Sequence, residues 1–140
     1  MSFVAGTSRS ARYGLVVSSF GPGDYVLIVD DDDDIRETLE IILASRGFRS
    51  VSAGDGAEAL ALMQAGPLPA VVLLDIMMPG MNGAQFRARQ LEDPRLANVP
   101  LIVMSGDSKV DQKAAALGKV RCLKKPVDIA DLIAAVREAR

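Results

Sequence analysis

The chain contains no histidine and only one cysteine, Cys122. The first absence excludes His-ligated metal centres and His-based acid–base catalysis. The second excludes an internal disulfide. No apolar run approaches the roughly 20 residues that a helix needs to cross a bilayer. A strong charge of either sign is also missing. Sixteen Lys and Arg stand against 18 Asp and Glu, and a net charge of −2 offers no overall field for nucleic acid. Arg9 and Arg12 precede the apolar stretch Tyr13-Gly14-Leu15-Val16-Val17, but that stretch is short and Ser18-Ser19 interrupts it. This argues against a signal peptide and for a cytoplasmic protein. What remains is 140 residues, 49% hydrophobic and 24% charged, enough apolar material for one domain core without staples.

Residues 1–23 are rich in Ser and Gly and close on the breaker Gly21-Pro22-Gly23. They read as an N-terminal tail to a domain spanning 24–140. From Asp24 onward, strand and helix alternate. Strands are predicted at about 25–30, 49–52, 70–75, 100–104 and 120–123. Helices are predicted at about 33–46, 56–65, 84–91, 108–117 and 129–139. Ile35, Leu39, Ile42 and Leu43 give the first helix its apolar period, and Ala57, Leu60, Ala61 and Gln64 mark the second. Gly47 ends the first, and Asp128 caps the last, whose apolar face is Ile129, Leu132, Ile133 and Val136. Strand-then-helix repetition predicts an α/β fold with a parallel sheet covered on both faces. The continuous apolar runs 26–29, 71–74 and 101–104 suit strands buried on both sides. In such sheets ligands gather beyond the carboxyl ends of the strands.

The residues at those ends carry the chemistry. Asp30 and Asp31 follow the first strand, Asp75 the third, Ser105 the fourth and Lys125 the fifth. Three carboxylates brought to one edge repel one another, and a hard divalent cation relieves this. An ionised Asp can act as a nucleophile toward phosphorus. A metal, a Lys and a hydroxyl can neutralise and hydrogen-bond the transferred group. The set therefore fits phosphoryl capture on Asp75. Asp32, Asp33 and Asp34 are better explained as first-turn helix acids beside the N-terminal dipole. Lys119, Arg121 and Lys124 read as a solvated basic rim, with no interleaved aromatics to suggest nucleic-acid binding. Met63, Met77, Met78, Met81 and Met104 read as core filler rather than a binding surface, with the exposure of Met77 and Met78 left open by their place in the loop after Asp75, and Cys122 reads as a small buried apolar residue.

Val29-Asp30-Asp31, Leu74-Asp75-Ile76-Met77-Met78-Pro79-Gly80-Met81-Asn82-Gly83, Met104-Ser105-Gly106 and Lys124-Lys125-Pro126 together resemble the receiver domain of bacterial two-component response regulators. The resemblance covers about 25–139. It implies a doubly wound, CheY-like sheet of five parallel strands in the flavodoxin-like order 2-1-3-4-5. It implies a signalling switch rather than an enzyme in the ordinary sense. Asp75 would take a phosphoryl group from a sensor histidine kinase or a His-phosphotransfer protein. Asp31 would bind Mg²⁺ (or Mn²⁺) directly, Asp30 through water, with Asp75 and the Met77 backbone carbonyl completing the protein ligands. Ser105 and Lys125 would engage the phosphoryl group. A downstream protein target would read the surface made by the predicted helix at 108–117, the last strand and the closing helix. Two features depart from the usual pattern. Cys122 stands where many members place a rotating Tyr or Phe, and a thiol is too small to report burial as a ring does. The segment between Ser105 and Lys125 is slightly shortened, and it carries Asp107, placed to bear on water access. Two other readings stay open. One is a partner-binding pseudo-receiver. The other is an aspartate-nucleophile phosphatase, although Met77 occupies the place of that class's second Asp.

Overall fold

The apolar runs 26–29, 71–74 and 101–104 form the three central strands, and helical segments lie between strands. The computed structural model describes residues 21–78, 80–106, 117–118 and 120–139. Its strands are β1 (Val26–Val29), β2 (Ser50–Ala53), β3 (Val71–Asp75), β4 (Leu101–Ser105) and β5 (Arg121–Lys124). The described helices are α1 (Asp33–Ser45), α2 (Gly56–Ala65), α3 (Gly83–Glu92) and α4 (Ile129–Ala139). The sheet is wholly parallel, in the order β2-β1-β3-β4-β5. The fold is thus the doubly wound α/β arrangement expected. The helix expected at 108–117 lies almost wholly outside the described residues, as do Asp107, Pro79, Lys119 and nearly all of the N-terminal tail.

Alternate residues of each strand feed opposite faces, as the period of two requires. Val26, Ile28, Val71, Leu73, Ile102 and Met104 pack under α1 and α4. Leu27, Val29, Val72, Leu74 and Val103 pack under α2 and α3, with Phe86 fully buried among them. Local chemistry fixes the helix ends. The Asp32 side chain caps α1, accepting from the backbone N–H groups of Asp34 and Ile35 at 2.9 and 3.3 Å. Asp32 is therefore the cap, and Asp33 and Asp34 occupy the first turn that the helix dipole favours. Gly47 follows α1 with φ of 83°, a conformation other residues adopt at a cost. Asp128 accepts from Asp131 N–H at 3.1 Å at the start of α4, as expected.

Three expectations about packing are corrected. In α2, Ala57, Ala61 and Gln64 are exposed, and the inward residues are Ala59, Leu60, Leu62 and Met63. That helix is apolar nearly all round, so its periodicity carries little directional information. In α4, Ile129, the first residue of the helix, is 45% exposed, and the buried face is Leu132, Ile133, Ala135 and Val136. Cys122 is only partly buried, since β5 is an edge strand.

Candidate functional site: an acidic cluster at the carboxyl edge

The parallel pairing brings the strand ends level. Val29 pairs with Leu74, and Asp75 with Met104. Asp30 and Asp75 therefore stand on neighbouring strand ends, and Ser105 stands one residue beyond Asp75's partner. One oxygen each from Asp30, Asp31 and Asp75 lie within 4.8 Å of one another. Asp30 is fully buried and Asp75 is 6% exposed, whereas Asp31 faces solvent.

Lys125 closes the cluster from the other side. Its ammonium donates to Asp30 Oδ2 at 3.1 Å and lies 3.4 Å from Asp75 Oδ2. The backbone N–H of Lys125 donates to the Ser105 carbonyl at 2.9 Å, which ties the loop after β5 to the end of β4. The Ser105 residue is 1% exposed. Met77 N–H donates to Asp75 Oδ1 at 3.1 Å, so the backbone at 77 folds beside the carboxylate while the Met77 side chain points outward, 56% exposed. Of the two loop methionines whose exposure the sequence left open, Met77 faces solvent and Met78 is buried; Met63 and Met104 are buried as expected.

Burial raises the Asp75 pKa above the ordinary carboxylate value. The Met77 N–H and the Lys125 charge oppose this, and the Asp30 charge adds to it. For Lys125, burial works toward a lower pKa. The hydrogen bond to Asp30 and the charges of Asp30 and Asp75 outweigh burial and leave the ammonium raised. Three carboxylates and one ammonium sum to −2, the charge one divalent cation neutralises. The donor set is all oxygen, which suits Mg²⁺ or Mn²⁺ and excludes a soft-metal site. The residues therefore fit a hard divalent ion.

A model of the response regulator receiver domain matches residues 26–137. The chain belongs to the response regulator receiver domain family. It is 36% identical over 118 residues to the sensory transduction protein RegX3 of Mycolicibacterium smegmatis, covering 80% of this chain and 48% of that protein. It is 38% identical over 116 residues to the DNA-binding transcriptional regulator NtrC of Escherichia coli, covering 81% of this chain and 24% of that protein. The receiver thus spans half or less of the length of these two relatives. A receiver protein from Pseudomonas putida shares the fold with a TM-score of 0.76 and 30% identity, over 85% of this chain and 99% of that one. Chemotaxis protein CheY4 of Vibrio cholerae does so with a TM-score of 0.75 and 27% identity, over 84% of this chain and 99% of that one. Receivers are signalling switches that bind Mg²⁺ through acidic residues and work between kinases and effectors. Among the described residues of this receiver, no helix is long and apolar enough to cross a membrane.

The apolar pattern did not single out Arg36. It is 3% exposed and sits against the acidic loop, donating to the Asp30 carbonyl and pairing with Asp33. Stepping back from Leu43 and Leu39 at helical spacing lands on position 36, so the inward stripe of α1 does contain it.

Proposed function

We propose that Asp75 is the phospho-acceptor of a two-component phosphorelay, with a histidine kinase or His-phosphotransfer protein as donor. The observation that carries the reading is the meeting of Asp75 with Asp30, Asp31 and Lys125 at the open edge of the sheet. An ionised Asp75 oxygen attacks phosphorus. The P–N bond of the donor breaks, and the imidazole nitrogen keeps the electron pair and takes a proton from water. A bound Mg²⁺ would supply charge neutralisation to the phosphoryl oxygens. Asp31, Asp30, Asp75 and the Met77 backbone carbonyl are the residues we assign to hold it. Lys125 is already beside Asp75 Oδ2 and supplies a second positive charge to the transferred group. The Ser105 hydroxyl moves onto that group from the end of the adjacent strand. The change then passes to a downstream protein through β5, α4 and the chain between Ser105 and β5. Cys122 on β5 substitutes for an aromatic reporter, so this transfer relies on the Ser105 loop.

The same reading makes residues 24–140 the phospho-accepting domain, residues 1–23 a tail outside it, and the cytoplasm its location. The test uses acetyl phosphate, which transfers its phosphoryl group with acetate as the leaving group. Incubation with Mg²⁺ and intact-mass measurement gains one phosphoryl group per chain. EDTA and Asp75→Asn each abolish the gain. Multiple turnover of donor without a stable adduct would instead indicate a phosphatase. No adduct from acetyl phosphate or a cognate kinase would indicate a pseudo-receiver.

A further inference from the structure

We infer that Arg36 is a positioning residue for the divalent-cation site, acting through the peptide that joins Asp30 to Asp31; this rests on the assignment of those carboxylates as cation ligands. A charged side chain at 3% exposure is costly unless its donors are satisfied. Arg36 meets that cost by reaching back from the first turn of α1 to the loop before it. One guanidinium nitrogen donates to the Asp30 carbonyl, and the other pairs with the Asp33 carboxylate. Asp33 is itself largely exposed, so the inner contact is the one to Asp30.

Asp30 is held at every polar atom. Its N–H donates to the Ala53 carbonyl at 3.2 Å. Its Oδ1 accepts from Asp32 N–H at 3.0 Å, and its Oδ2 accepts from Lys125 at 3.1 Å. Its carbonyl is the atom Arg36 holds. That carbonyl belongs to the same planar peptide as the Asp31 N–H. Its orientation sets where the Asp31 Cα, and hence the exposed carboxylate, is placed. Asp31 lacks the burial that fixes Asp30 and Asp75, so its position depends most on this peptide. The Asp33 partner has a second effect. It neutralises the guanidinium, so a buried cation can sit beside a cation site without repelling the ion.

The test is the Mn²⁺ affinity of the full chain, read from the electron paramagnetic resonance of free Mn²⁺. Arg36→Met removes the donor at similar length, and Arg36→Lys keeps the charge but not the fork. Far-UV circular dichroism confirms that each sample is folded at the temperature used. Arg36→Met weakens Mn²⁺ binding about tenfold, the lower end for residues that orient metal ligands, and Arg36→Lys weakens it by a smaller factor. A folded Arg36→Met with wild-type affinity overturns the inference. If Arg36→Met does not fold, a folded Arg36→Lys with wild-type affinity overturns it equally. Asp31→Asn separates the two claims. If Asp31→Asn binds Mn²⁺ as tightly as wild type, the cation-site reading itself fails. If Asp31→Asn loses affinity and the Arg36 variants do not, only the positioning role fails.

Discussion

Asp75, the proposed phospho-acceptor, illustrates what that role demands of a single residue. A carboxylate that is to attack phosphorus must be ionised near neutral pH. A carboxylate at the mouth of a sheet edge is partly withdrawn from water, and burial raises its pKa. The fold answers with the Met77 N–H and the Lys125 ammonium, which do not fully cancel the effect. A raised folded-state pKa means that the folded chain binds the proton more tightly than the unfolded chain. The stabilising contribution of protonated Asp75 is present below the unfolded value of 3.8 and is lost as pH rises through the folded value. At pH 7, ionised Asp75 therefore weakens the cation-free fold. Asp75→Asn in EDTA should raise the unfolding free energy at pH 7 by roughly 0.5–2 kcal/mol, the span common to stabilising substitutions. Urea titration measures it. As pH falls toward 3.8 the two proteins should converge, because the wild-type carboxyl then carries its proton. A variant less stable than wild type at pH 7 would contradict this account.

The elements around Asp75 are held by contacts that a hydropathy pattern does not encode. The helix α3 follows the loop that carries Met77, and it starts at Gly83 because Asn82 and Gln85 cap each other's backbone N–H at 2.9 Å in both directions. Gly83 N–H then donates to the Ile76 carbonyl at 3.0 Å. A Cβ on Gly83 would lie 2.8 Å from Ile76 Cγ1 and 3.1 Å from Ile76 Cα. The second contact is with backbone and cannot be relieved by a rotamer change. Gly83→Ala should thus cost about 1–3 kcal/mol, as overpacking does. It should also weaken Mn²⁺ binding, because Ile76 adjoins Asp75. Denaturation and Mn²⁺ titration on one sample check both, and a stability loss with unchanged affinity would confine the effect to packing. The strand runs Val26–Val29 and Val71–Leu74 were legible in the sequence because both strands are buried on both sides. The α1 stripe was legible because polar residues flank it. The inward face of α2 was not, since Ala57 and Ala61 are as apolar as Ala59. Arg36 and Gln90 were not either, because both are polar side chains in the interior. Gln90 is fully buried, and its amide donates to the Leu96 and Val99 carbonyls at 3.1 and 2.9 Å.

For the whole molecule, the site is a local electrostatic debt attached to an otherwise apolar sheet. The strands that lead into Asp30 and Asp75 are almost fully buried, so these two carboxylates cannot relax by moving their backbone. Lys125 cancels one of three negative charges, and a net −2 remains at the edge. An ion that binds this edge only when the strands are aligned must stabilise the entire fold by mass action. At a hundredfold excess over its Kd, the gain is about 2.7 kcal/mol. For a domain of this size each kcal/mol shifts the melting temperature by roughly 3 °C, so Mg²⁺ should raise Tm by on the order of 8 °C. Differential scanning calorimetry across a Mg²⁺ series should give a Tm that climbs with the logarithm of the concentration. The climb should shrink as pH falls, because proton and metal compete for the same oxygens. Asp31→Asn should flatten it, while a chain beginning at Gly21 should retain it in full, since the residues proposed to hold the ion all lie from Asp30 onward. A Tm that ignores Mg²⁺ at pH 7 would mean that the aligned carboxylates are neutralised by Lys125 and solvent alone, and the strand-end geometry would then have to be explained without a cation.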